Sequence, residues 1–373
     1  MKNFIPLSVP NFEGNEKKYV DDAIDGAWVS TAGAYVSELE KKLAFYLNTS
    51  SVIACQSGTA ALHLSMIETG IGPGDTVIVS PLTFIAAVNP IRYQYATPVF
   101  IDCDESLCLD PKKLKKFCEE ECSFEDNTLK FKNSPVKAVV VIHVFGNLAD
   151  METIIKIAEK YNLKVIEDAT EALGSRFTEG RYKGEFAGTI GDFGCFSFNG
   201  NKIITTGGGG AITAKNEVNA KHIRYLSTQA KDDPLYYLHN EVGFNYRMTN
   251  LQAALGVAQL ELLPKFIWRK NTNYDLYKDY FAECSLCRLL PFRDNTYSNK
   301  WFYSLEIEVD KLHISLMEII EELAQKGIQT RPVWGLINEQ RPYRREYTYQ
   351  LEKAYYYAKR VLNIPCSTNI TKD

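Results

Sequence analysis

The sequence predicts an α/β protein: an open, mostly parallel sheet covered by helices, followed by a smaller α+β unit. Two observations carry the sheet. Short β-branched apolar runs alternate with helix-length segments of mixed polarity, and the runs are continuously apolar, as in strands buried on both faces. A third carries the second unit: from about Leu263 the chain turns polar and aromatic-rich. Residues 1–262 are assigned to the larger unit and 263–373 to the smaller one, and the segment up to about Ser30 could join either.

Val52–Ala54 reads as a short strand leading into the small-residue turn Ser57-Gly-Thr-Ala-Ala-Leu-His63 and an apolar helix. Asp75–Ser80, bounded by Gly74 and Pro81, is the next strand, and Pro111–Glu121 the next helix. Lys137–His143 and Lys164–Asp168 are strands flanking a helix over Asp150–Tyr161. In the smaller unit Pro264 starts a helix running to about Phe281, because proline suits a first helical turn. Trp301–Glu308 alternates like a half-exposed strand, and Ser315–Lys326 is helical. The chain stops abruptly over Asn363–Asp373, as if cut before a last helix. No internal repeat or low-complexity linker is visible.

Composition narrows the function. Forty-two Lys and Arg against 46 Asp and Glu leave a net charge of −4, so no positive excess is there to hold nucleic acid. The cluster Lys112, Lys113, Lys115 and Lys116 runs straight into Glu119–Glu121 and reads as a solvated helix face. Nine cysteines, an odd number spread over the chain, favour reduced thiols and a cytoplasmic protein. Cys284 and Cys287 have zinc-like spacing but no partner pair, so no metal is expected. Met1–Pro6 lacks a signal peptide's apolar core, and no run is long enough to span a membrane.

Three places carry chemistry. The turn at Ser57 presents backbone N–H groups and a hydroxyl at a helix start, which suits a phosphate; taken alone, a helix cap explains it as well. Asp168 ends a buried strand, where sites of open α/β sheets form, and an N-cap fits it equally. Lys202 lies between the aromatic strand Phe196-Ser-Phe198 and four glycines, Gly207–Gly210. Flanking Phe and Ile residues imply partial burial, a lowered pKa and a usable amine nucleophile. The Gly72-Pro-Gly74 turn precedes a strand instead of following one, and no GxxxxGK[ST] loop exists. A phosphate cup, a strand-end acid and an amine together are what pyridoxal phosphate needs.

At this point a resemblance enters. Ser57–His63, Pro81-Leu-Thr-Phe84, Val165–Gly174, Phe196–Phe198 with Lys202, and Gly243–Asn250 stand in the order and spacing of the DegT/StrS nucleotide-sugar aminotransferases. The chain resembles that family from Pro6 to about Thr371. The resemblance implies an aspartate-aminotransferase-like (type I) fold with a mostly parallel sheet in the large domain and a small C-terminal α+β domain. It implies that Lys202 bonds pyridoxal 5'-phosphate and shuttles the substrate proton, and that Asp168 pairs with the pyridine nitrogen. Ser57, Gly58, Thr59, Ser197 and Asn199 would bind the cofactor, and Asn245 would reach its phosphate from the partner subunit of a homodimer. Phe84 would stack on the ring; core packing is its alternative.

Glu171 stands where many members of the family have His or Gln. It resembles the transaminases of the bacillosamine and legionaminic acid pathways, which make UDP-4-amino-4,6-dideoxy-N-acetylglucosamine. Trp28-Val-Ser-Thr-Ala-Gly33, Asn199-Gly-Asn-Lys202, Tyr225–Gln229 and Thr330–Trp334 look like the same branch. The implied reaction moves an amine from L-glutamate, leaving 2-oxoglutarate, to C4 of a UDP- or GDP-linked 4-keto sugar for surface glycan or nonulosonic acid synthesis. Glu171 would act beside the cofactor, or would merely start a helix. Trp28, Ser30 and Thr31 would meet the substrate, and Arg331 its pyrophosphate, although an ordinary surface arginine fits equally. The alternatives are amination at C3 and a non-catalytic regulator on the same fold.

Overall fold

Strands that are apolar on both faces need cover from two sides, and parallel neighbours need crossovers too long for a hairpin. The computed structural model describes residues 4–370; the first three residues and the last three, including Thr371 and the very end of the Asn363–Asp373 stretch, lie outside them. Strands β1 (Val52–Cys55), β2 (Thr76–Val79), β3 (Thr97–Ile101), β4 (Ser134–Ile142), β5 (Lys164–Asp168), β6 (Phe193–Ser197) and β7 (Gly210–Ala214) share one sheet. Their order is β1-β7-β6-β5-β4-β2-β3. Every neighbour pair from β6 to β3 is parallel, whereas β7 is antiparallel to both its neighbours. This is the mostly parallel large sheet of the type I fold.

Helices α1 (Ala34–Tyr46), α2 (Gly58–Glu68), α3 (Pro111–Glu120) and α4 (Met151–Tyr161) flank the strands. The latter two begin where carboxylates accept N–H bonds: Asp110 from Lys112 and Lys113, and Asp150 from Thr153. On α3 the cluster of lysines is not uniformly solvated. Lys115 and Lys116 pair with Glu119 and Glu120 along the surface, but Lys113 turns inward. Its Nζ lies 2.7 Å from the buried Asp102 Oδ2 and also pairs with Glu352. A buried carboxylate needs a counter-charge, and a lysine one turn into the helix can reach it.

Helix α5 (Asn250–Phe281) departs from the expected start at Pro264. Thr249 and Gln252 form a reciprocal capping box at its true beginning, and Pro264 lies inside the helix. The flanking packing on both sides of the proline outweighs its missing N–H. The helix therefore runs through residue 263 unbroken. Beyond it, β8 (Cys287–Leu289), β9 (Tyr303–Ile307), β10 (Arg331–Pro332) and β12 (Val361–Ile364) form an antiparallel sheet in the order β8-β9-β12-β10, while β11 (Thr348–Tyr349) adds to the large sheet beside β3. Strand β9 is buried along its whole length, not half-exposed. Its polar positions are satisfied instead: the Ser304 hydroxyl donates to Asn363, and Glu306 accepts from Arg288 and Tyr356. Helix α6 (Leu316–Gln325) begins at the Ser315–Glu318 capping box. No helix among the described residues is long and apolar enough to cross a membrane.

Thr249→Ala removes the box that starts α5. Its unfolding free energy should fall by about 1 kcal/mol, read as an earlier urea midpoint with an unchanged slope.

Candidate active site

The carboxyl end of β5, that of β6 and the start of α2 meet at a cavity of about 390 Å³. Ser57, Gly58, Thr59, Phe84, Asp168, Glu171, Ser197, Asn199 and Lys202 all line it. The Ser57 hydroxyl does cap α2, accepting from the Ala60 N–H at 3.0 Å. That leaves the N–H groups of Gly58 and Thr59, beyond reach of any helix carbonyl, at the cavity wall. Gly58 is required by space: a Cβ there would stand 2.9 Å from Ser197 Cβ and 3.3 Å from the Phe196 carbonyl. Helix start and strand end thus approach closely enough to grip one small anion.

Asp168 is buried at the end of β5 and accepts from the Thr170 N–H at 3.1 Å. Burial pushes its pKa up, against the pull of Thr170 and the Lys202 charge. Glu171 is buried too, and burial pushes its carboxyl up to about 7 even though Lys202 and the Phe145 N–H favour the ionised form. Its Oε2 accepts from that N–H at 2.7 Å. Phe145 has a φ of 56°, a left-handed conformation that costs a bulky residue energy, and the Glu171 bond helps hold it. Lys202 Nζ stands 3.8 Å from Glu171 Oε1 and 4.1 Å from the centroid of the Trp301 ring. Burial lowers its pKa, opposed by Glu171 and Asp168. Its neighbours in sequence Phe198, Ile203 and Ile204 are buried.

Other sequence candidates stand elsewhere in the single chain. Asn245 is exposed, on a segment bridged to Thr228. Trp28, Ser30 and Thr31 are exposed, and their segment is tied to Asn250, whose side chain donates to the Trp28 carbonyl and whose N–H donates to Ser30. Trp28 borders a separate hollow with Asp22 and Tyr35. Arg331 is exposed on β10 because alternation turns Thr330 inward in its place. Conversely, Trp301, Phe302 and Trp334 line the cavity without having been singled out as site residues. In sequence Trp301 is a strand residue and Trp334 only part of a segment, and nothing local marks either as an active-site wall.

The residues present fit pyridoxal phosphate. The α2 start suits the phosphate, Asp168 a protonated ring nitrogen, and Lys202 an aldehyde carbon. Among the described residues no group of three or more His, Cys, Asp or Glu is placed to hold a metal; Cys284 and Cys287 come within 3.1 Å of each other but recruit no third ligand.

Fold and site define a type I pyridoxal phosphate enzyme. The chain belongs to the DegT/DnrJ/EryC1/StrS aminotransferase family, whose pattern matches residues 10–373. It is 36% identical to a GDP-perosamine synthase of Caulobacter vibrioides over 370 residues, covering 99% of this chain and 94% of that one. Among solved structures, DesI crystallised with its TDP-sugar product matches at a TM-score of 0.88 and 26% identity, covering 100% and 90% of the two chains. The Streptococcus pneumoniae protein Spr1654 in its PMP form matches at 0.88 and 26%, covering 99% and 94%. The protein is a pyridoxal phosphate-dependent nucleotide-sugar aminotransferase.

Two outcomes follow from this geometry. Glu171 keeps its proton in the fold up to about pH 7 but loses it near 4.5 when unfolded. Its contribution to stability is thus complete below pH 4.5 and lost as pH rises through 7. Glu171→Gln still accepts from Phe145 and should flatten that part of the stability–pH curve, measured by urea unfolding of the apoprotein. Gly58→Ala should weaken pyridoxal phosphate binding roughly tenfold or more while leaving α2 capped, measured by fluorescence titration.

Proposed function

We propose that this enzyme aminates C4 of a nucleotide-linked 4-keto-6-deoxy N-acetylated hexose, with L-glutamate as donor, as a cytoplasmic homodimer. The observation that carries the reading is Lys202 Nζ, held between the buried Glu171 carboxyl and an indole face at the ends of the parallel strands. When bound, the cofactor supplies the electron sink and carries the amine. Asp168 would keep a proton on the ring nitrogen, and Phe84, on the cavity wall, would stack on the ring. Lys202 takes the proton from the donor carbon and later delivers one to C4. The nucleotide contributes remote binding energy that orients the sugar.

The C4 assignment is supported by Glu171 and by the Trp28–Gly33 and Thr330–Trp334 segments, which look like the N-acetylated-sugar branch. The likeness to a GDP-perosamine synthase keeps GDP beside UDP as carrier. Since Trp28, Ser30, Thr31 and Arg331 do not line the cavity of their own chain, their substrate role belongs to the assembled dimer. The dimer is supported by a hairpin, Lys231–Asp233 against Leu238–His239, whose Leu235, Tyr236, Tyr237 and Leu238 are all exposed, with Val242 beside it. Such a patch wants cover, and a second copy would also bring Asn245 to the partner's cofactor phosphate.

Lys202→Ala should lower turnover by roughly 10³-fold or more with the fold intact by circular dichroism. Mixing that variant with Asn245→Ala should restore activity, because one hybrid site carries both native residues; exchange without recovery argues against a shared site. After reaction with glutamate, NMR of the product should place the amine at C4. An amine at C3, or turnover only with a sugar lacking the acetamido group, overturns the substrate assignment.

A further inference from the structure

We infer that Trp301 is a positioning residue for Lys202: its indole face underlies the lysine amine and its ring N–H holds the backbone immediately before it. The Trp301 Nε1–H donates to the Asn201 carbonyl at 2.7 Å, across 100 positions of sequence. Lys202 Nζ stands 4.1 Å from the centroid of the same ring. The lysine's own N–H closes a turn onto the Asn199 carbonyl at 3.0 Å. One aromatic side chain thus touches both the lysine amine and the Asn201 carbonyl just before the lysine.

The tryptophan is itself fixed. It is 3% exposed, and its N–H donates to Asn299 Oδ1 at 3.0 Å. Its carbonyl accepts from Lys270 Nζ at 2.8 Å and from the Cys366 thiol at 3.4 Å. Lys270 is a buried amine on α5, and this carbonyl is its close oxygen partner. Lys270 also interacts with the Cys366 thiol and lies over the Tyr303 ring, 5.5 Å from its centroid, so Trp301 is anchored in a buried polar cluster.

A lysine has four rotatable bonds and loses most of its rotamer freedom when buried. The titratable groups that face Lys202 are Glu171, at 3.8 Å, and Asp168, one in the turn after β5 and the other at the end of that strand. Trp301 approaches from the smaller sheet's side, just before β9, so the amine is held between opposing elements.

This inference rests on Lys202 being the amine that captures pyridoxal phosphate. Trp301→Phe keeps a ring but loses the N–H; Trp301→Leu loses both contacts. The measurement is the rate at which apoprotein covalently captures added pyridoxal phosphate, followed by absorbance and fixed by borohydride, with the modified peptide located by mass. Capture on Lys202 should slow about tenfold in Trp301→Leu and less in Trp301→Phe. Noncovalent affinity, measured in a Lys202→Ala background, should change by no more than about twofold. Capture at the native rate in either variant overturns the inference, as does a loss of noncovalent affinity as large as the loss of capture rate, which would make Trp301 an ordinary wall. If Trp301→Leu does not fold, Trp301→Phe alone decides. Trapping on another lysine in the native protein would instead remove the reading of Lys202.

Discussion

Taking a lysine amine out of water is the constraint around which this molecule is built. Asp168 and Glu171 are buried and Lys202 beside them is half-buried, and none could easily bear its charge there alone. Each therefore carries a second attachment: Asp168 the Thr170 N–H, Glu171 the Phe145 N–H, Lys202 the Trp301 face. Those attachments recruit the turn after β5, where no helix begins and neither Asp168 nor Glu171 serves as a cap, a left-handed residue, and a tryptophan from beside the smaller sheet. The site draws on distant parts of the chain because local sequence cannot neutralise three ionisable groups so close together.

The residue before Asp168 shows how the strand end is kept rigid. Successive strand residues face opposite ways, so while Asp168 enters the cavity, Glu167 enters the protein. Its carboxylate accepts from the N–H groups of Gly188, Ile190 and Gly191 at 2.9, 2.7 and 2.6 Å. It also lies 2.8 Å from His143 Nε2. Because His143 Nδ1 accepts from the Ala149 N–H, the ring proton sits on Nε2, pointing at Glu167. Loop, neighbouring strand and site strand are thus tied through one carboxylate.

Much of this was legible in the sequence. The apolar runs around β2, β4 and β5 are long and continuous, so their strands and parallel packing followed from burial alone. Asp168 and Lys202 were legible because a charged residue at an apolar strand's end, or between aromatics and glycines, has few structural reasons to be there. The start of α5 was misplaced because Pro264 is a louder local signal than the Thr249–Gln252 box that begins fifteen residues earlier. The Lys113 pairing and the Trp301 contact were hidden for a different reason: each partner is far away in sequence, and only folding sets their distance. Asn245, Trp28 and Arg331 pose the reverse case, since a family pattern marks them while a single chain leaves them at the surface.

The length of α5 has a mechanical meaning. Thirty-two residues of helix make a rod of about 48 Å. One end begins five residues after the exposed Asn245, and about two-thirds of the way along it Lys270 grips the carbonyl of the tryptophan beneath the reactive amine. Two places far apart in the chain, the Asn245 edge and the floor beneath the amine, are thus fastened to the same beam, with Pro264 the point between them where its hydrogen-bond ladder lacks an N–H.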